Sequence, residues 1–209
     1  MIPIVLALSL NIQDYCVIGV VMKIIEIRWH GRGGQGAVVA SDILARAAYL
    51  DGFKGVQSFP FFGAERRGAP VQAFTRLSDS RVLLRTHVYN PDIVIVLDPS
   101  LLGVVDVYSG LKSGGMVIMN TPLNPSDIKV PGSFKIATVD ALSIVQDLKL
   151  FVSGLPVYNT SMLGAFSKAT GLVKISSIRE AIIEYFGPGR GEVNAKAAEL
   201  AYQKTIVGG

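Results

Sequence analysis

The chain has 209 residues, room for one well-buried α/β domain, and only 17% of them are charged against 50% hydrophobic. Soluble domains average about 25% charged, so much of this surface is expected to face other protein. The formal charge of +4 is spread along the chain, without the Lys/Arg run of a nucleic-acid arm, and nucleic acid is not an expected partner. A single cysteine, Cys16, and two histidines, His30 and His87, exclude an internal disulfide framework, a four-thiolate cluster held by this chain alone and a zinc site of ordinary spacing.

Residues 1–21 are apolar but broken by Asn11, Gln13 and Asp14. That is too short and interrupted to span a bilayer, and it lacks the basic start and cleavage site of a secretory signal. No membrane association is expected, and the location is expected to be cytoplasmic. Translation is expected to begin at Met22, making 1–21 an upstream extension or disordered leader and 22–209 the α/β domain. The intact mass of native protein checks this, and a mass that includes 1–21 contradicts it.

Residues 23–29 read as a strand carried by Ile24, Ile25 and Ile27. A glycine cluster follows, and then a helix over 37–50 with Ala40, Ile43, Leu44, Ala47 and Leu50 on one face, ended by Asp51-Gly52. A short strand is expected over 55–59. Segments 71–77 and 81–87 read as a hairpin turning at Ser78-Asp79-Ser80. The continuous apolar run 92–97 is the clearest buried strand. A helix is expected over 101–111, and strands over 115–119 and 134–139. Asp140 is a candidate N-cap for a helix to about Leu148. Residues 156–160 read as a connector, followed by helices over 161–170, 177–186 and 192–204. The pattern predicts a single Rossmann-like, doubly wound domain: a mostly parallel sheet with a hairpin and flanking helices.

Gly31, Gly33 and Gly36 have the G-x-G-x-x-G spacing between a strand and a helix, where backbone N–H groups can face an anion. A Walker loop is excluded by Ala37 and Val38, which stand where Lys and Ser/Thr should follow. A dinucleotide site needs an acid ending the second strand, and that neighbourhood reads Gln57-Ser58-Phe59-Pro60-Phe61. Three readings of the glycines stay open here: an NAD(P) turn, another phosphate or partner contact, or a tight strand-to-helix crossing.

The wording of three blocks is more specific. Gly31-Arg32-Gly33-Gly34-Gln35-Gly36 resembles the G-[RQ]-G-G-Q-G signature of the gamma subunit of 2-oxoacid:ferredoxin oxidoreductases. Phe62-Gly63-Ala64-Glu65-Arg66-Arg67-Gly68-Ala69-Pro70 resembles that family's G-x-E-x-R-G loop in its pyruvate form. Asn159-Thr160-Ser161-Met162-Leu163-Gly164-Ala165 is similar to its N-T-x-M-L-G-A segment, and 194–202 to its terminal helix. The resemblance covers about 22–202. It implies a subunit of an enzyme that oxidatively decarboxylates a 2-oxo acid, expected to be pyruvate, to acyl-CoA and CO2, with electrons passing to ferredoxin. It also implies alpha, beta and delta partner subunits, which would carry thiamine diphosphate with its magnesium ion and the iron–sulfur clusters. This chain would hold no cofactor alone and would help to form the coenzyme A site.

The candidate binding residues are accordingly Gly31, Arg32, Gly33, Gly34, Gln35, Gly36, Glu65, Arg66, Arg67, Asn159 and Thr160. Arg66 or Arg67 is expected to grip a coenzyme A phosphate with Glu65 orienting it, or else to form an intersubunit ion pair. Asn159 and Thr160 read either as ligand donors or as an N-cap. His30 reads as a structural histidine, or one titrating beside a phosphate. Phe59, Phe61 and Phe62 read as an interface, or a stacking platform. No catalytic residue is expected on this chain. A free-standing NAD(P)-dependent dehydrogenase and a purely structural scaffold are the competing readings.

Overall fold

The computed structural model describes residues 23–61 and 68–208. Met22, the expected start, and Phe62, Glu65, Arg66 and Arg67 lie outside the described residues. Strand β1 (Ile24–Arg32) leads through the glycine turn into helix α1 (Ala37–Leu50) and then strand β2 (Gly55–Pro60). Strands β3 (Pro70–Ser78), β4 (Ile93–Val96), β5 (Met116–Asn120) and β6 (Lys135–Val139) follow, and then helix α2 (Ala141–Asp147). A small hairpin of β7 (Phe151–Val152) and β8 (Leu155–Pro156) precedes helices α3 (Asn159–Thr170), α4 (Ile175–Phe186) and α5 (Arg190–Lys204), and β9 (Ile206–Val207) closes the chain.

The main sheet has the order β2-β3-β1-β4-β5-β6-β9. Its centre is parallel from β1 through β4 and β5 to β6, while β3, β2 and β9 add antiparallel pairs at the flanks. This is the single α/β domain, with a mostly parallel sheet and flanking helices, that the sequence pattern predicts. The two-residue period of β1 sends Ile27 and Trp29 to one face and Glu26, Arg28 and His30 to the other. The first face meets α1 to α5 in one apolar cluster, which includes Ile43, Leu44, Ile95, Ile118, Ile144, Met162, Phe166, Ile178 and Ala198. At the crossing of α3 and α5, a Cβ on Gly164 would run into the Ala198 carbonyl, so only glycine permits that approach.

The opposite face carries a smaller cluster of Val94, Val96, Val117 and Met119 beneath Leu101, Val107 and Leu111. Here two expectations fail. Residues 101–111 are not an α-helix but a 3-10 turn, Pro99–Gly103, followed by turns. Arg28 donates to the carbonyls of Val107 at 3.0 Å and Ser109 at 2.5 Å, and a helix over 101–111 would take up the Val107 oxygen internally. Nor do residues 81–87 form a strand. Their neighbourhood gives its carbonyls to side chains: Arg76 donates to Thr86 and His87, and Gln57 to Val82 and Leu84. The partner of β3 on the outer side is instead β2.

Other differences lie at boundaries. β1 runs on to Arg32, three residues past the expected end, because it pairs with β3 as far as Pro70. Asn159 and Thr160 belong to α3 rather than to a connector. The β7–β8 hairpin and β9 were not expected; each of these strands has two residues, too few to show a period.

Candidate functional site at the glycine turn

β1 and α1 meet at the ends of the parallel strands, beside β4, where the strand order departs to either side. In open α/β sheets this crevice is where ligands bind. Gly34 and Gly36 hold φ of 99° and 85°, the left-handed region that favours glycine. Gly36 is the N-cap of α1 and supplies no side-chain cap, so the first turn of the helix presents backbone N–H groups. A side chain at Gly36 would collide with Asn159, and one at Gly34 would press on Leu155.

An open cleft of about 570 Å³ lies against this turn. Arg32, Gly33, Gly34 and Gly36 line one end, and Val38, Val39, Val71, Val152 and Leu155 give it an apolar wall. Gly33 donates to Ala69 O at 2.9 Å and accepts from Gly68 N at 3.1 Å. Gly68 and Ala69, which lead into β3, are therefore tied to the glycine turn.

The polar side chains of the turn are committed to one anchor. Gln35 Nε2 donates to Asp98 Oδ2 at 2.7 Å, and its Oε1 accepts from the Arg32 backbone N–H at 2.8 Å. Arg32 Nε lies 3.2 Å from the same Asp98 oxygen. Arg32 also reaches Ser100 Oγ at 2.8 Å and Gly68 O at 3.0 Å. Burial raises the Asp98 carboxyl, but hydrogen bonds from Ser100 and Gln35 and the Arg32 charge outweigh it and hold the group below its ordinary value. Burial, and then the Asp98 charge, push the nearby Tyr158 phenol up.

The structure brings Gly31 to Gly36 together with Asn159, which packs on Gly36. Asn159 Oδ1 accepts the Thr160 N–H, and the helix N-cap is Tyr158 rather than either of them. Thr160 Oγ1 turns away to Asn194 in α5 at 3.2 Å. His30 is buried and accepts a bond from Arg28 Nε at 3.0 Å on Nε2. Burial, and then the Arg28 charge, lower its pKa to about 3, so it is neutral and structural. Phe59 and Phe61 both pack on Phe74, and Phe61 also meets His87. Among the described residues no group of three or more His, Cys, Asp or Glu is placed to hold a metal ion, and no helix is long and apolar enough to cross a membrane.

Asp98, Ser100 and the β7–β8 wall were missed from sequence. Asp98-Pro99 ends the clearest buried strand, next to the glycine strand at the crevice, and that position was the available signal.

The fold also bears on the dinucleotide reading. Antiparallel β3 stands between β1 and β2, so the end of β2 is one strand further from the turn than in a dinucleotide fold.

The sequence model of the pyruvate ferredoxin/flavodoxin oxidoreductase family matches residues 26–204. The common gamma subunit of the pyruvate/ketoisovalerate oxidoreductases of Thermococcus kodakarensis is 57% identical over 188 residues, covering 88% of this chain and 98% of that protein. The pyruvate synthase subunit PorC of Methanocaldococcus jannaschii is 52% identical over 182 residues, 87% of this chain and 97% of its own length. Among solved structures, the pyruvate oxidoreductase subunit PORC of Thermotoga maritima superposes with a TM-score of 0.76 at 38% identity, covering 90% of this chain and 99% of that one. With the glycine turn, the α/β core and near full-length similarity in agreement, the chain belongs to the pyruvate ferredoxin/flavodoxin oxidoreductase family, among its gamma-type subunits.

Proposed function

We propose that this chain is the gamma subunit of a cytoplasmic, thiamine diphosphate-dependent pyruvate:ferredoxin oxidoreductase, and that its glycine turn forms part of the coenzyme A site. The assembled enzyme would convert pyruvate and coenzyme A to acetyl-CoA and CO2, passing two electrons to ferredoxin. Thiamine diphosphate, its magnesium ion and the iron–sulfur clusters are assigned to alpha, beta and delta partner subunits. No catalytic residue is assigned to this chain.

The observation that carries the coenzyme A reading is the cleft at the turn. Its polar end combines the uncapped start of α1 with Arg32, a pairing suited to a phosphate. Its apolar wall of Val38, Val39, Val71, Val152 and Leu155 suits the less polar arm of the same molecule. The tie between Gly33 and Gly68 supports a place for Arg66 and Arg67 at the phosphate end. Pyruvate is preferred through the form of the Glu65 loop and the names of relatives such as pyruvate synthase subunit PorC. The relative named as a subunit common to pyruvate and ketoisovalerate enzymes supports leaving the choice of 2-oxo acid to partner chains.

The test is steady-state kinetics of the intact assembly carrying Arg66→Ala or Arg67→Ala. At least one is expected to raise the coenzyme A KM about tenfold, the scale of one charge-assisted phosphate contact, with the pyruvate KM unchanged. An unchanged coenzyme A KM for both, in an intact assembly, removes the loop from the site. Pyruvate-dependent ferredoxin reduction by the native complex tests the wider assignment, and a lone species that binds NAD(P) would overturn it.

A further inference from the structure

We propose that Asp98 is the positioning residue of the glycine turn: its carboxylate sets both the backbone of the turn and the placement of the guanidinium of Arg32, a residue that lines the cleft. This rests on the coenzyme A reading above and adds to it a residue from a different part of the chain. No acidic residue lies within the turn itself, so its shape has to be imposed from outside.

The geometry divides the work between the two carboxylate oxygens. Oδ2 receives Gln35 Nε2 at 2.7 Å and faces Arg32 Nε at 3.2 Å. Oδ1 receives Ser100 N at 3.0 Å and Ser100 Oγ at 2.6 Å. Each partner then reaches on to Arg32. Gln35 Oε1 accepts the Arg32 backbone N–H at 2.8 Å, which pins the main chain of the turn. Ser100 Oγ accepts from Arg32 Nε at 3.2 Å and Nη2 at 2.8 Å, which pins the side chain. Arg32 Nη1 meanwhile holds Gly68 O, at the exit of the arginine loop.

Asp98 can do this because of where it sits. It directly follows β4, and Leu97 N donates to His30 O at 2.8 Å, so the parallel pairing of β1 with β4 fixes the distance between Asp98 and the turn. Ser100 is held by the 3-10 turn that Asp98 itself caps, with Pro99 at its start. The carboxylate thus rests on rigid elements, while what it holds lies in a glycine-rich segment with little rigidity of its own.

An asparagine cannot replace Asp98 silently. Three donors bond to the two oxygens and the Arg32 charge lies beside them, whereas an amide offers only one oxygen, carries no charge and adds donors of its own. If Gln35 turned its side chain to accept from such an amide, its own NH2 group would face the Arg32 backbone N–H.

The experiment compares Asp98→Asn, Ser100→Ala and Arg32→Ala in the intact assembly, together with the Asp98→Asn/Arg32→Ala double variant. Asp98→Asn is expected to raise the coenzyme A KM about tenfold, with the pyruvate KM unmoved and kcat at saturation falling less than about twofold. Ser100→Ala, at an exposed position that leaves the core untouched, should produce a smaller rise in the same parameter. In the double variant the two effects should overlap rather than multiply, because both act through the same guanidinium. Asp98→Glu, which keeps the charge, should recover part of the lost affinity. If Arg32→Ala raises the coenzyme A KM and Asp98→Asn does not, the positioning role is wrong and the coenzyme A reading stands. If neither variant moves it, the coenzyme A reading fails as well. If Asp98→Asn does not assemble, Ser100→Ala decides: an unmoved coenzyme A KM there overturns the proposal.

Discussion

The two faces of the sheet solve the same problem in different ways. The helical face is closed by apolar side chains from five helices, many of them small: Ala40, Ala47, Ala165, Ala197, Ala198 and Ala201 let the helices lie close. The opposite face is closed in part by segments without helix or strand, held by buried polar side chains. Arg76 is 1% exposed and pairs with Glu26 at 2.8 Å while donating to two loop carbonyls. Arg28 does the same for Val107 and Ser109. Apolar packing is divisible, losing a little with each methyl removed. A buried arginine that satisfies an acid and two carbonyls is not divisible, because removing it strands all of them at once.

That difference can be broken in order of effect. Arg76→Met should cost about 3–5 kcal/mol in urea denaturation, since Glu26 is left charged and buried. The double change Glu26→Leu/Arg76→Met should recover much of that loss. If the single and double variants are equally unstable, the carbonyl contacts rather than the ion pair carry the cost.

A pH test comes next. The unfolded chain protonates His30 near its ordinary 6.5, while the folded chain resists until about 3. Stability should therefore be complete above 6.5 and fall as pH drops through the window between these values, by an amount on the order of a few kcal/mol. His30→Gln keeps an acceptor for Arg28 and removes the titration, so its denaturation midpoints should depend less on pH between 6.5 and 4.

On the helical face, Ile95→Val should cost only about 1 kcal/mol. A loss as large as that of Arg76→Met would erase the contrast between the faces.

The smallest expected effects are gains. Lys149 and Ser153 are non-glycine residues at φ of 55° and 51°. Lys149 follows the end of α2, where Leu150 N bonds to Val145 O and Lys149 N to Gln146 O, a helix stop that glycine fills best. Lys149→Gly should stabilise the fold by about 0.5–1 kcal/mol, read as a rise in Tm.

The two faces were also unequally legible. The helix over 37–50 could be read from its regular apolar spacing, and the strand ending at Leu97 from its unbroken apolar run. The polar face could not. Glu26, Arg28 and Arg76 alternate with apolar residues along their strands, the pattern of a half-solvated sheet, and nothing local shows that loops will cover them. The same blindness produced the helix expected at 101–111, where Leu101, Val107 and Leu111 are buried but the Val107 and Ser109 carbonyls are bonded to Arg28. At the site, the glycine turn and Asn159 were visible as blocks. Asp98 and Ser100 were not, because their role depends on β4 lying beside β1, a pairing between segments far apart in the chain.

The most direct test of the central claim is hydrogen–deuterium exchange of this chain within the intact assembly, with and without coenzyme A. The account predicts slower exchange on addition of coenzyme A at 33–39 and 68–71, around the start of α1 and the exit of the arginine loop. It predicts no change at 112–116, beside Asp92 at the other end of the strands. Unchanged exchange at 33–39 in an assembly that is turning over coenzyme A would contradict it.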